Sequence, residues 1–230
     1  RESAQLHTAR FVCTTDRDLN QIASFYPGAM GEDANIDLAG VAGEIDLVVI
    51  GAGNPAAMQS FTKQCLEQQI PFASDTSQQL VSLDGEQIKE LVTGAAYLFC
   101  NDYEASLIEH KTGWSDAELT AQVGVRVTTL GADGARVDIA GQDPVLVGPV
   151  KDVTPADPTG TGDAFRAGFL AGESFGLSRE RAAQLGNLLA VHALEATGPQ
   201  EYTLKLAELE SRCATSYGQA AADEILAHIR

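Results

Sequence analysis

At 230 residues, 44% hydrophobic and 20% charged, the chain is long and apolar enough to bury a full core, and a single domain over residues 1–230 is expected. Its formal net charge of -17 and pI near 4.4 create a field that repels phosphate backbones and anionic lipid, which excludes broad electrostatic binding to nucleic acid or a membrane surface. An anionic ligand would need a local site made from oriented N–H groups, a helix N-terminus or a bound cation.

The chain opens Arg-Glu-Ser rather than with Met and soon enters a strand, so an incomplete N-terminus is expected. Ala9 to Thr14 and Gln21 to Tyr26 are β-prone runs separated by the polar stretch Thr15 to Asn20, which predicts a hairpin. Asp46 to Ile50 is a continuous apolar run that ends in Gly51-Ala52-Gly53, and Pro55 to Gln69 follows with helical spacing and Pro at a favoured first position. The alternation recurs at Phe72 to Ser74 with Ser77 to Val92, and at Ala96 to Phe99 with Asp102 to Lys111. Strands that are apolar throughout and feed helices predict an α/β fold, a mostly parallel sheet covered by helices on both faces.

Val125 to Leu130 and Ala135 to Ala140 flank the turn Gly131-Ala132-Asp133-Gly134, and Val145 to Val147 adds a short strand, so the sheet is expected to become antiparallel here. Helices are predicted over Gly160 to Gly172, Ser178 to Glu195, Leu204 to Tyr217 and Gln219 to Ile229. The cysteines, Cys13, Cys65, Cys100 and Cys213, are scattered with no zinc spacing and read as reduced core thiols. With no signal-peptide pattern and no apolar stretch of membrane-spanning length, a cytoplasmic location is expected.

The segment that carries chemistry is Asp157-Pro158-Thr159-Gly160-Thr161-Gly162-Asp163, which runs straight into the amphipathic Ala164-Phe165-Arg166-Ala167-Gly168-Phe169-Leu170. A glycine-rich turn meeting a helix N-terminus lets several N–H groups converge on an oxygen-rich ligand, with the helix dipole adding favourable potential. The Lys-Ser/Thr that completes a Walker A loop is absent. On these residues alone, Asp163 is either the N-cap of a helix or a reacting carboxylate. Arg166, one turn further on, either approaches phosphate or pairs with an acid.

The full string resembles the D-T-x-G-A-G-D motif of the ribokinase-like (PfkB) sugar and nucleoside kinases, with Pro158 before the threonine and Thr161 in place of the common alanine. The resemblance implies that Asp163 is the catalytic base and that the N–H groups of Gly160, Thr161 and Gly162 form an anion hole for the transferring phosphoryl. In a loose phosphoryl-transfer transition state, orientation and anion stabilisation count for more than base strength.

Asn101-Asp102-Tyr103-Glu104 is at least a helix start, since Asn caps helices and acids favour the first turn. It also resembles the family's N-x-x-E motif, which implies that Asn101 serves ATP and that Glu104 holds magnesium through water. Thr129-Leu130-Gly131, with Gly134 beyond, is a hairpin turn or the family's nucleotide-facing T-L-G segment.

Phe11 to Asp16 and Asn20 to Met30 are similar to the hairpin of actinobacterial-type adenosine kinases, as is Ser77-Gln78-Gln79-Leu80. The likeness implies that Phe11 and Phe25 flank a purine and that Gln78 and Gln79 lie near the nucleoside. Core packing of the aromatics and solvation of the glutamines are the readings without it.

The resemblance therefore implies an adenosine kinase using ATP and Mg2+, with K+ activation and a lid-mediated homodimer both recurring among relatives. The alternatives are a sugar kinase of the same family or a non-catalytic nucleotide-binding fragment. The family's first βαβ units, most of its lid and its ribose-binding Gly-Gly and Asp residues do not occur before Arg10. The chain alone is accordingly expected to be weakly active or inactive.

Overall fold

The computed structural model describes residues 2–17, 21–41 and 43–229, so the tip of the first hairpin, including Asn20, lies outside the described residues. Strands β1 (Arg10–Thr15) and β2 (Gln21–Tyr26) pair as the two-stranded sheet expected of that hairpin. Contacts divide the chain into two compact units, the first drawn mainly from residues 21–128 and the second from 129–137 and 144–230.

In the first unit, β3 (Val48–Ile50), β4 (Phe72–Ser74), β5 (Tyr97–Asn101) and, as far as Thr128, β6 (Val125–Thr129) are neighbours in that order. β3 runs parallel to β4, with Ile50 opposite Ser74, and β4 parallel to β5, with Ser74 opposite Leu98. Each crossover is helical because each apolar strand is followed by a capped amphipathic segment. Asn54 caps α1 (Pro55–Gln68) by accepting from Ala56 N–H, and Gln69 ends it in the left-handed conformation. Ile50, Met58, Phe72, Leu80, Ile88, Leu91, Leu98, Ile108 and Leu119 form its buried core. Each such side chain contributes about 1.5–3 kcal/mol by leaving water.

Two segments depart from the sequence expectation. The helix predicted from Ser77 to Val92 is broken into a 3-10 turn, Ser77–Val81, and α2 (Gly85–Val92). The cause is a capping box at Asp84 and Gln87, which starts a new helix inside the apolar period. After α3 (Asp102–Thr112), a short α4 (Asp116–Ala121) was not anticipated, although Ser115 and Glu118 cap it in the same reciprocal way.

The second unit carries β7 (Ala135–Asp138) as far as Val137, antiparallel to β8 (Val145–Val147), with Arg136 opposite Leu146, as the turn-rich sequence predicts; Asp138 belongs to the first unit. Its helices are α5 (Thr161–Ser174), α6 (Arg179–Leu194), α7 (Leu206–Tyr217) and α8 (Gln219–Leu226). Leu185, Leu188, Leu209, Ile225 and Leu226 are central to a separate core. α5 and α6 touch main chain to main chain. A Cβ on Gly168 would stand 2.8 Å from Leu185 O, and one on Gly186 would stand 2.9 Å from Phe165 O.

Cys65, Cys100 and Cys213 are buried thiols, and burial pushes Cys100 up to about 12, which closes it to thiolate chemistry at neutral pH. Among the described residues no helix is long and apolar enough to cross a membrane.

Candidate active site

The loop that precedes α5 is tied down by one carboxylate. Asp157 Oδ1 accepts from Thr159 N–H at 3.0 Å and its Oδ2 from Gly198 N–H at 3.0 Å, so it joins the loop to the turn that follows α6. A hydrogen bond from the Thr159 side chain, followed by these two backbone N–H bonds, holds the Asp157 carboxyl below its ordinary value. Gly160 then turns the chain at φ +80°, a left-handed conformation that leads into the helix. Its missing Cβ also makes room, because a methyl there would sit 2.5 Å from Pro199 Cβ. Gly160→Ala is therefore expected to cost at least about 1–2 kcal/mol from backbone strain alone. A lowered urea midpoint would report it, and an unchanged midpoint would show that the loop can shift away from Pro199.

Gly160 is the N-cap of α5 and supplies no side-chain cap, which places Asp163 three residues into the helix and removes the N-cap reading of its carboxylate. Of the three N–H groups expected to form an anion hole, that of Thr161 turns back to Pro158 O at 3.2 Å. Gly162 and Asp163 contribute the next N–H groups of the first turn, where no intrahelical acceptor exists, while Ala164 N–H begins the ladder on Gly160 O at 2.9 Å. No atom would lie within 4 Å of a Cβ on Gly162, so the approach to these donors is open. The Thr161 hydroxyl is buried and has no hydrogen-bond partner. That orphan, the open approach and the dipole at the helix start fit an oxyanion-bearing ligand.

The Asp163 side chain is 73% exposed, and its Oδ1 accepts from Arg166 Nη2 at 2.6 Å, whereas the Arg166 side chain is only 17% exposed. An exposed pair at this helical spacing contributes about 0.2–0.5 kcal/mol.

In the same unit, Thr129 ends β6 and the turn after it is closed by Leu130 N–H on Gly134 O at 2.8 Å. Gly131 and Gly134 both take positive φ, and a Cβ on Gly134 would strike Val147 O at 2.1 Å. The hairpin-turn reading is thus realised in a form that also leaves main chain bare of side chains at Gly131, where a Cβ would meet nothing within 4 Å.

In the first unit, Asn101 and Glu104 form the helix start expected of them. Glu104 N–H donates to Asn101 Oδ1 at 2.7 Å and Asn101 N–H to Glu104 Oε2 at 2.8 Å. Glu104 Oε1 remains outside this exchange, a hard oxygen of the kind magnesium takes through water. Phe11 and Phe25 lie on the paired strands β1 and β2, and each is 51% exposed, so neither is spent on core packing. Gln79 turns inward, with its Nε2 on Gly53 O at 2.8 Å, while Gln78 is exposed and accepts from Ser77 Oγ at 3.3 Å. Gln79 thereby links the loop after β3 to the turn after β4, at the carboxyl ends of parallel strands where α/β sheets bind ligands.

Sequence reasoning missed the Asp157 tie and the orphaned Thr161 hydroxyl, although the unusual threonine of the motif was a signal for the latter; of the two readings left open for Arg166, the structure shows the pairing with an acid.

A sequence profile of the pfkB family carbohydrate kinases matches residues 1–205. A nucleoside kinase of Methanocaldococcus jannaschii is 27% identical over 186 residues, which cover 81% of this chain and 60% of that protein. The chain therefore spans less than two thirds of that curated relative. Burkholderia thailandensis nucleoside kinase in complex with inosine superimposes with a TM-score of 0.87 at 34% identity, over 93% of this chain and 71% of that one. Adenosine kinase from Sinorhizobium meliloti shares the fold, with a TM-score of 0.72 at 24% identity over 93% of this chain and 66% of that one. By the span of the profile match, and by a ribokinase-like α/β fold that these neighbours share, the chain belongs to the pfkB carbohydrate kinase family.

Proposed function

We propose that the protein is an ATP-dependent kinase that phosphorylates the 5'-hydroxyl of a purine nucleoside, with adenosine as the preferred acceptor. The observation that carries this reading is the start of α5, where a carboxylate that caps nothing sits among N–H groups without helical acceptors and beside a buried, unpartnered hydroxyl. Asp163 takes the proton of the acceptor alcohol as its oxygen bonds to the γ-phosphorus. The N–H groups of Gly160, Gly162 and Asp163 spread the charge of the phosphoryl in flight, and Thr161 supplies a further donor, its hydroxyl. Thr129, Gly131 and Gly134 offer bare main chain to the nucleotide. Asn101 would serve ATP, and Glu104 would hold through water the magnesium that comes with it, which would supply neutralising charge at the phosphates.

A nucleoside is favoured over a free sugar by Phe11 and Phe25, whose half-exposed rings offer stacking area that a sugar does not need. Stacking does not separate adenine from hypoxanthine, and the similar Burkholderia structure contains inosine, so inosine is the second acceptor to test. The measurement is ATP consumption by the full-length protein with adenosine, inosine, ribose and fructose in turn. Adenosine is expected to give the highest kcat/KM and inosine the next. Turnover with ribose or fructose above both nucleosides would overturn the proposal.

A further inference from the structure

We infer that Arg166 is a positioning residue for the reaction: it clamps Oδ1 of Asp163 so that Oδ2 is the atom that receives the proton. The inference rests on the reading of Asp163 as the base. Three observations support it. Asp163 has no capping role to orient it, since the N-cap of α5 is Gly160 and no side-chain cap bond is made. A side chain that is 73% exposed would otherwise sample its two rotatable bonds in solvent. Its holder is the opposite kind of group, a guanidinium whose side chain is only 17% exposed and whose planar fork is stiff, and the bond between them is short at 2.6 Å.

The geometry divides the labour between the two carboxylate oxygens. Oδ1 is committed to Arg166 Nη2, and Oδ2 is left as the acceptor. In the transfer, the O–H bond of the alcohol breaks and its proton goes to Oδ2. The alcohol oxygen bonds to the γ-phosphorus, and the bond from that phosphorus to the β,γ-bridging oxygen breaks to release ADP. Arg166 neither gains nor loses a proton in this sequence. Its contribution is orientation, and its removal should act on the chemical step rather than on binding.

The test is a double-mutant cycle in the full-length protein with adenosine and ATP, using Arg166→Ala and Arg166→Gln alone and each combined with Asp163→Asn. Each single Arg166 variant is expected to lower kcat about 10–100-fold with both KM values nearly unchanged, and added guanidinium ion should restore part of the loss to Arg166→Ala. In the Asp163→Asn background the same changes should cost nothing further, because the residue acts only through that carboxylate. A raised KM for ATP with kcat unchanged would make Arg166 a nucleotide contact and overturn the inference. So would a penalty of the same size with Asp163 already removed, or wild-type kinetics in both single variants. If Asp163→Asn alone leaves turnover intact, it is the reading of the base that fails, whatever Arg166 does.

Discussion

Asp163→Asn is expected to lower kcat for adenosine about 10²–10⁴-fold, the range spanned by general acid–base groups. That range corresponds to about 2.7–5.5 kcal/mol of transition-state stabilisation. The amide keeps the shape of the carboxylate and can still contact Arg166 through its oxygen, so folding should be undisturbed. It cannot accept the proton, and the effect should fall on kcat with little change in either KM. Steady-state kinetics at saturating ATP would read the change directly. A loss confined to KM would show that the side chain binds substrate without reacting with it.

The second large effect concerns folding. Arg126, on β6, is 2% exposed in the interior of the first unit. Its Nη2 bonds to Asp116 and lies 3.5 Å from Asp138 Oδ2, while Nη1 lies 4.0 Å from Glu109 Oε1. Burial acts to lower its pKa, yet the bond from Asp116 and the charges of Asp116 and Asp138 prevail and hold the guanidinium firmly charged. Removing the guanidinium takes a charge partner from Asp138, a side chain only 7% exposed. Arg126→Met is therefore expected to destabilise the protein by about 3–5 kcal/mol. That is a large share of the 5–15 kcal/mol that a typical domain holds in total. Urea unfolding would measure it. A cost below about 1 kcal/mol would mean that Asp138 finds water or a new donor.

The contrast between these two residues shows what a sequence reveals. The βα alternation was legible because the strands β3 to β5 are mostly apolar and the helices after them announce themselves with a cap or with Pro at the start, as at Asn54-Pro55. Asp163 stood out as a candidate because its motif is local: it lies within a run of seven residues. Arg126 was opaque because a charged residue in a strand reads as facing water, and the acids that hold it are separated from it by ten and twelve positions. The tie from Asp157 to Gly198 spans 41 positions and was equally invisible. The Ser77 to Val92 segment was misjudged for a different reason. Its apolar spacing continues through a break that only the Asp84 and Gln87 side chains create, by capping a helix afresh. The role of Arg166 stayed open because helical spacing shows that two side chains can meet and says nothing about which of them is anchored.

The seam between α5 and α6 bears on how this protein can vary. Where side chains interlock, a substitution on one helix is absorbed by a new rotamer on the other, and a reacting group drifts by fractions of an ångström. At Gly168 the neighbours are main-chain atoms of Leu185 and Gly186, and at Gly186 the Phe165 carbonyl and the edge of its ring close in, so little is free to adjust. The start of α5, where Asp163 sits, is thus set largely by close main-chain approach to α6, and hydrophobic substitutions elsewhere in that helical layer should leave that helix start in place.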